Sequence, residues 1–439
     1  MNRSFIILVF CTLIGLSSEI WAQVGAEEKT ETGFDWYLDI AVATFLGNNS
    51  YFGESVSFTG ANTDDWSEAV VELGLKGHTS LGKGTFFGEF SGLVSKTWGD
   101  DASGLTVGLD RTHEADIEQA HIGWRSGSTF SSLDSDALTF KVGSVDYVVG
   151  SGLLIADGTA DGGYRGGWFL SGRTAFRRSF LTTLQSGAWK ADGFYLQGEG
   201  RGDDERVYAY GGNFEYGFKG AGLNTGLLYF KVPDQRVNEN SYRERVESLS
   251  LRGDWAATDN LGFAGEYVYQ SRPGTHPGGW YLMGAYKWNG APWTPELSYR
   301  YAAFDGDDLS TPEDESFDVA AYGFTDRGYW FQGEITGGYP LSNSNLKSHM
   351  LRLQLFPNNN LVLNAIYYDF TLDQANVFGE PVGSTDWGDE VNMVADYAIA
   401  DKWFLSGVFG WLVPGQAARN WTGGDKTWFY GMIYVRYTL

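Results

Sequence analysis

The stretch from Thr427 to Leu439 (TWFYGMIYVRYTL) restricts the fold more than any other part of the chain. One phase holds Phe429, Gly431, Ile433, Val435, Tyr437 and Leu439, and the other holds Trp428, Tyr430, Met432, Tyr434, Arg436 and Thr438. Period two makes this a β-strand with one wholly apolar face and one mixed face that carries an arginine. An open apolar edge invites aggregation in water. The same strand is stable when it closes a barrel and its apolar face meets lipid, because a closed barrel satisfies every backbone group without water.

The rhythm recurs throughout. Residues 36–46 put Trp36, Leu38, Ile40 and Val42 on one face, and residues 66–77 set Ala69, Val71, Leu73 and Leu75 opposite Glu68, Glu72 and Lys76. Comparable segments follow at 85–97, 116–125, 137–149, 174–185, 189–199, 206–218, 222–232, 243–256, 261–271, 279–288, 295–304, 328–338, 346–356, 361–372, 388–399 and 402–412. Helical periodicity is nowhere sustained. Tight turns at 81–84, 186–188, 219–221, 256–260, 289–293, 357–360 and 400–402 alternate with long acidic, Gly-rich loops at 98–115, 150–172, 233–242, 305–327, 373–387 and 413–426. Short turns on one rim and long loops on the other predict an all-β, antiparallel up-and-down transmembrane barrel. Such barrels have an even strand number, whereas these segments make an odd one. Either the weak segment 316–325 is a strand, giving about twenty, or one segment is false, giving about eighteen.

Composition agrees: 60 Gly and 16% aromatic residues accompany only 10 Pro. Trp36, Tyr37, Trp66, Trp98, Trp124, Trp189, Trp255, Trp280, Trp288, Trp403, Trp411 and Trp428 fall near strand ends, where interfacial girdles place amphipathic rings. The alternative is a β-sandwich with a carbohydrate-binding aromatic face. A net charge of −24 excludes nucleic acid as a partner. Arg3, the apolar run 5–16 and the small residue Ala22 predict a secretory signal at 1–22, then an acidic lead-in at 23–33 and the barrel at 34–439. A retained membrane anchor is the alternative reading of the first segment. Cys11, the single cysteine, lies within it, so the mature chain has no disulfide or thiol chemistry.

Two stretches resemble the alginate export family of outer-membrane barrels. One is 140–158 (FKVGSVDYVVGSGLLIADG), with Gly172-Arg173-Thr174 and Ala191-Asp192-Gly193-Phe194. The other is 315–373, which contains ESFDVAAYGF, GYWFQGEITGGYPLSNSNL and PNNNLVLNAIYYDFTLD. The closing strand is similar to the last strands of such barrels, which usually end on Phe where this chain ends on Leu439. Departures are Val319-Ala320, where the family tends to a Pro-Leu pair, and Gly143-Ser144-Val145, a degenerate Gly-Arg-Gln element. The resemblance implies an eighteen-stranded porin-like barrel whose positively charged lumen passes an anionic polysaccharide or oligosaccharide. For export, it also implies a periplasmic secretion partner.

Strand phase names the lumen face. Arg252 alternates with Leu249, Leu251 and Trp255, Arg300 with Leu297, Tyr299 and Tyr301, and Arg352 with Leu351, Leu353 and Leu355. Lys141, Arg436 and Arg177 turn inward by the same test, since a guanidinium facing lipid near the midplane costs about 2–4 kcal/mol. Inside, these groups suit carboxylates of an acidic sugar. Glu68, Glu72, Glu89, Glu266, Glu296 and Glu334 share that phase. The arginine ladder is therefore mixed in sign, and two roles stand: solute selection, or an Arg–Glu network that stiffens the wall.

Acidic runs at 100–101, 203–205, 305–308 and 313–315 are solvated loops, or sites for divalent cations that bridge lipopolysaccharide. His78, His113, His121, His276 and His349 have no metal-ligand spacing, and no metal or cofactor is expected. Ser348-His349 lacks a nucleophile elbow and a placed acid, so no enzyme is expected. The expected function is selective passive diffusion across an outer membrane, with 150–172 and 305–327 as constriction. The alternatives are a general or nutrient-uptake porin, and a structural or adhesive barrel that conducts nothing.

Overall fold

A computed structural model describes residues 32–61, 64–200, 206–236, 242–326 and 329–439. The expected secretory segment, Cys11 and most of the acidic lead-in lie outside the described residues, as does the acidic run 203–205.

An 18-stranded sheet is the whole framework. Its strands are β1 (Thr32–Asn48), β2 (Trp66–Leu81), β3 (Gly84–Gly99), β4 (His113–Arg125), β5 (Leu138–Val145), β6 (Phe176–Ser186), β7 (Trp189–Glu199), β8 (Arg206–Phe218) and β9 (Leu223–Val232). They continue as β10 (Val246–Ala256), β11 (Leu261–Ser271), β12 (Gly278–Lys287), β13 (Glu296–Phe304), β14 (Leu346–Asn358), β15 (Leu361–Leu372), β16 (Asp386–Ile399), β17 (Trp403–Pro414) and β18 (Trp428–Thr438). Each strand pairs antiparallel with the next, and β18 returns to β1 through pairs such as Val42↔Val435 and Thr44↔Ile433. No edge is left open, which is how a barrel with apolar strands avoids edge-to-edge association. Arg436 clamps the closing seam with hydrogen bonds of 2.9 and 2.8 Å from Nε to the carboxylate of Asp39.

Burial is inverted relative to a water-soluble protein. In β10, Ser248 and Ser250 are fully buried, whereas Leu249 and Leu251 are exposed. In β18, Trp428, Tyr430 and Met432 are buried while Phe429 and Ile433 face out. The same phase separates Glu68 (0% exposed) from Leu73 (58%) in β2. An apolar exterior around a polar interior requires lipid outside. Among the described residues no helix is long and apolar enough to cross a membrane.

Two expectations need correction. The segment 328–338 is not a wall strand: it holds a two-residue bridge, Tyr329–Trp330, and a π-helical turn, Gly333–Gly337. Both phases of Tyr329–Ile335 are largely buried, because the segment lies inside the lumen where neither face meets water or lipid. Its removal gives the even strand number, and 316–325 adds no wall strand either. Secondly, Trp66, Trp428 and Tyr37 are not girdle residues. Trp66 shares the phase of Glu68, Trp428 that of Tyr430, and Tyr37 the phase opposite Trp36, so all three point inward.

The connections sort by rim as expected, with two exceptions. The turn between β4 and β5, 126–137, is long yet lies with the tight turns, where Ser128 N–H donates to Lys83 O at 3.2 Å. The β11–β12 connection, 272–277, is short yet lies with the long loops and is closed by an Arg272–Thr275 bridge.

Candidate functional site: a plugged lumen

Two of the long loops do not stay outside. The first inward loop, residues 146–175, and the described parts of the second, from Phe317 to 325 and from Tyr329 to 345, fold into the barrel and are largely buried there. These are the two loops that the sequence nominates as constriction.

Wall carboxylates hold them by their backbone. Glu68 of β2 accepts from the N–H groups of Phe169 (3.0 Å) and Leu170 (2.9 Å) and from the indole of Trp66 (3.2 Å). Glu118 of β4 accepts from Thr174 N–H at 2.8 Å and Ala175 N–H at 2.7 Å. On the far wall Glu390 of β16 accepts from Ile335 N–H (2.9 Å) and Thr336 N–H (2.8 Å), and Asn392 accepts from Glu334 N–H at 3.1 Å. A carboxylate that accepts several N–H bonds is among the strongest fixings available to a loop. Arg300 of β13 donates to Phe331 O and lies 3.7 Å from the centre of the Phe331 ring. Tyr329 accepts from Gln354 and Asn364 at 3.1 and 2.7 Å.

The loops also join each other. Ala156 N–H and Asp157 N–H donate to Ala321 O at 2.8 and 3.1 Å. Ala321 N–H returns to Leu154 O at 2.9 Å, and Gly323 N–H to Gly152 O at 3.0 Å. This parallel bridge makes one plug of two loops.

Where the first loop leaves the wall, three arginines face four carboxylates. Arg173 lies 3.3 Å from Asp116, 3.4 Å from Asp161 and 3.5 Å from Glu199. Arg177 reaches Glu118 at 3.2 Å and Glu199 at 3.1 Å, and Arg165 reaches Glu199 at 3.5 Å. Burial pushes the loop carboxyl of Asp157 up to about 7. Burial also lifts Asp161, to about 6, against the pull of Arg173. Burial raises Glu334 well above the usual carboxylate range, with Glu390 and Asp396 adding to the effect.

Between plug and wall a cavity of about 1130 Å³ remains. Its walls come from β5 to β12, its inner side from both loops, and its rings include Trp168 and Trp330. Arg252 is the best-defined polar group here. Its Nη2 donates to Glu215 and to Asn213, each at 2.6 Å, while Nη1 is buried without a hydrogen-bond partner among the described residues. Two glycines make room for it: a Cβ at Gly226 would lie 2.4 Å from the guanidinium carbon, and one at Gly150 would lie 2.7 Å from Cδ.

The sequence-nominated residues separate into groups. Lys141 and Arg252 line the cavity. Arg177 belongs to the loop-exit network. Arg300 and Arg352 lie beneath the second loop, Arg352 being 3.9 Å from Glu296 and 5.3 Å from the Tyr329 ring centre. Arg436 serves the seam. Tyr37 OH lies 2.9 Å from both Glu72 and Glu89, which share its one proton, and Glu266 accepts from Ser250 at 2.5 Å. Ser348 points into the lumen while His349 faces outward against Tyr299 OH at 2.7 Å, so the two cannot act together. Sequence reasoning missed Glu118, Glu390, Asp157, Asp161, Lys190 and Glu215. Arg173 sits inside a quoted motif and was the available signal.

No family model matches the chain, and no curated protein sequence matches it either. Solved structures do share its fold. OccAB4 of Acinetobacter baumannii superposes with a TM-score of 0.58 at 11% identity, covering 94% of this chain and 99% of that one. OccK5 (OpdH) of Pseudomonas aeruginosa gives 0.56 at 11%, covering 92% and 98%. The outer membrane protein OprD of Pseudomonas aeruginosa gives 0.54 at 13%, covering 92% and 94%. This chain is an outer-membrane β-barrel of porin-like fold. The short turns then face the periplasm and the long loops face the exterior.

Proposed function

We propose that the barrel is a channel for small polar solutes, a nutrient-uptake or general porin, with the cavity between plug and wall as its vestibule. The observation that carries this reading is the cavity itself, with Arg252 and Lys141 on its wall. Its volume lies near the upper end of small-molecule sites, which run to roughly 1,000 Å³. A solute carboxylate would meet the cationic side chains of Lys141 and Arg252 along this wall.

The finer reading, an acidic saccharide of the alginate type, is supported by the pairing of Arg252 and Lys141 with aromatic rings in one cavity. Against polymer passage stands the filling of the rest of the lumen. Most of the other lumen arginines are also engaged: Arg177, Arg352 and Arg436 face carboxylates, and Arg300 is held by the second loop.

Single-channel recording in planar bilayers under a salt gradient tests the proposal. The expected result is discrete conductance whose anion preference falls in Arg252→Ala. A uronic-acid disaccharide that blocks the current in the unaltered protein, and not in Arg252→Ala, would favour the saccharide. Absence of any conductance would return the chain to the structural or adhesive class.

A further inference from the structure

We infer that the cavity is a blind vestibule: solutes enter and leave it across the periplasmic rim, while plug and wall together seal it from the exterior. The inference rests on the reading of this cavity as a solute site, but not on a current through the barrel.

The cavity occupies the turn-side part of the lumen. Lys141, Thr183, Lys190, Glu215 and Arg252 line it, and each lies between the midpoint of its strand and the short turn. Gly187, Ala188 and Lys219, which belong to the short turns, line it too. Tyr281 of β12 is the one lining wall residue nearer the long loops.

Exposure runs one way along the inward faces of these strands. On β9, Asn224 at the turn end is exposed, whereas Leu228, Phe230 and the last residue, Val232, are at most 2% exposed. On β10, Asp254 is exposed at the turn end, whereas Ser250, Ser248 and the first residue, Val246, are buried. Gln185 of β6, next to its turn, is exposed as well, while Gln270 of β11 and Phe304 of β13, next to the long loops, are buried. Inward side chains beside the turns therefore meet water, and those beside the long loops do not.

The seal has two parts. Over β9–β13 it is apolar: Phe230, Val268 and Phe304 of the wall pack with Leu154, Phe317 and Phe331 of the plug in one buried cluster. Over β4–β7 it is charged, because Arg173 and Arg177 tie the exit of the first loop to Asp116, Glu118 and Glu199. Packing of interior density leaves no room for a hydrated solute, and a charged one would have to shed its water to enter. Lifting the plug would uncover the aliphatic groups of Leu153, Leu154 and Ile155, each 1% exposed. Access from the exterior thus requires the plug to move, whereas access from the periplasm leaves it in place. Lys141, Lys190 and Arg252 are offered to periplasmic solutes.

Two thiols on one chain test this in a Cys11→Ser background, since Cys11 is the single cysteine. Ser310→Cys, exposed in the long loop 305–316, marks the exterior, and Thr183→Cys marks the cavity. Thr139→Cys is a second cavity position, in case loss of the Thr183 hydrogen bond to Asp192 disturbs β6. The purified barrel is reconstituted in sealed liposomes, and a small, charged, membrane-impermeant thiol reagent is added outside. Each chain presents one rim to the reagent whichever way it has inserted, so intact mass reads sidedness chain by chain. The expected product carries one adduct, at Ser310→Cys or at the cavity cysteine. Double adducts should form at least about tenfold more slowly than after detergent opens the liposomes, the factor set by a closed state favoured by about 1.4 kcal/mol. Double adducts that appear as fast in sealed liposomes as in detergent would overturn the inference, and so would cavity cysteines that react in neither orientation. Absence of current in the unaltered protein would instead remove the channel reading, because labelling needs no current.

Discussion

Glu68→Ala is the sharpest test of how the plug is held. The carboxylate is fully buried and accepts from two backbone amides of the first inward loop, Phe169 and Leu170, and from Trp66. Alanine leaves all three donors inside the barrel with no acceptor. Each such donor costs about 1–3 kcal/mol, and losing the buried carboxylate with its desolvation penalty returns part of that sum. Taking about 1.5 kcal/mol for each of the two loop amides gives about 3 kcal/mol against the docked loop. At about 1.4 kcal/mol per factor of ten, the undocked population rises about 100-fold. Amide hydrogen exchange followed by mass spectrometry on the detergent-solubilised barrel reads this directly. Peptides covering 166–175 should exchange about 100-fold faster, while peptides from β13 to β16 keep their protection. Glu68→Gln, which retains one acceptor oxygen, should fall between. Unchanged exchange at 166–175 would refute the anchoring argument, and equal loss of protection around the whole ring would show that Glu68 supports the wall instead.

Asp157 gives a pH-dependent prediction. Its carboxyl is raised by burial to about 7 from 3.8, so the docked loop binds a proton more readily than the released one. Its stabilising contribution is then fully present below about 4 and is lost as pH rises through about 7. Protease protection of 146–175 should therefore weaken between pH 5 and 8, and Asp157→Asn should flatten that profile; an unaltered slope in the variant would refute the assignment. Arg436→Ala removes the clamp on Asp39 at the closing seam. Charge-assisted hydrogen bonds contribute about 1.5–3 kcal/mol, so the temperature at which the barrel loses its compact mobility in semi-native gels should fall. A mobility curve that coincides with that of the parent protein would show the seam to be held by its ladder alone.

Much of the barrel was legible because lipid reverses the usual pattern without erasing its period. The phase of Arg252 against Leu249 and Leu251, or of Tyr430 against Phe429, follows from alternation alone. That reasoning fails where both faces of a segment are covered. Tyr329–Ile335 alternates like a strand, yet it is plug, and periodicity cannot tell a two-sided interior from a wall. Several of the inward carboxylates were seen, but their partners were not. Glu68, which was seen, and Glu390, which was not, bind backbone N–H groups of distant loops, and a backbone amide leaves no signature in sequence. Trp66 and Trp428 were misplaced for a related reason: position near a strand end suggests a girdle, but phase decides, and theirs is the lumen phase.

The placing of the loop fixings also sets an order of assembly. The wall carboxylates that fasten the first loop through its backbone, Glu68 on β2 and Glu118 on β4, precede that loop in the chain, and Glu199 N–H of β7 adds a bond to Gly158 O at 2.7 Å soon after it. It can dock once β7 is laid down, on a sheet still open to one side. The second loop must wait, because Glu390 and Asn392 belong to β16. The bridge between Ile155 and Ala321 is then among the last contacts to form, and a chain stalled before its sixteenth strand would hold half a stopper in an unfinished ring.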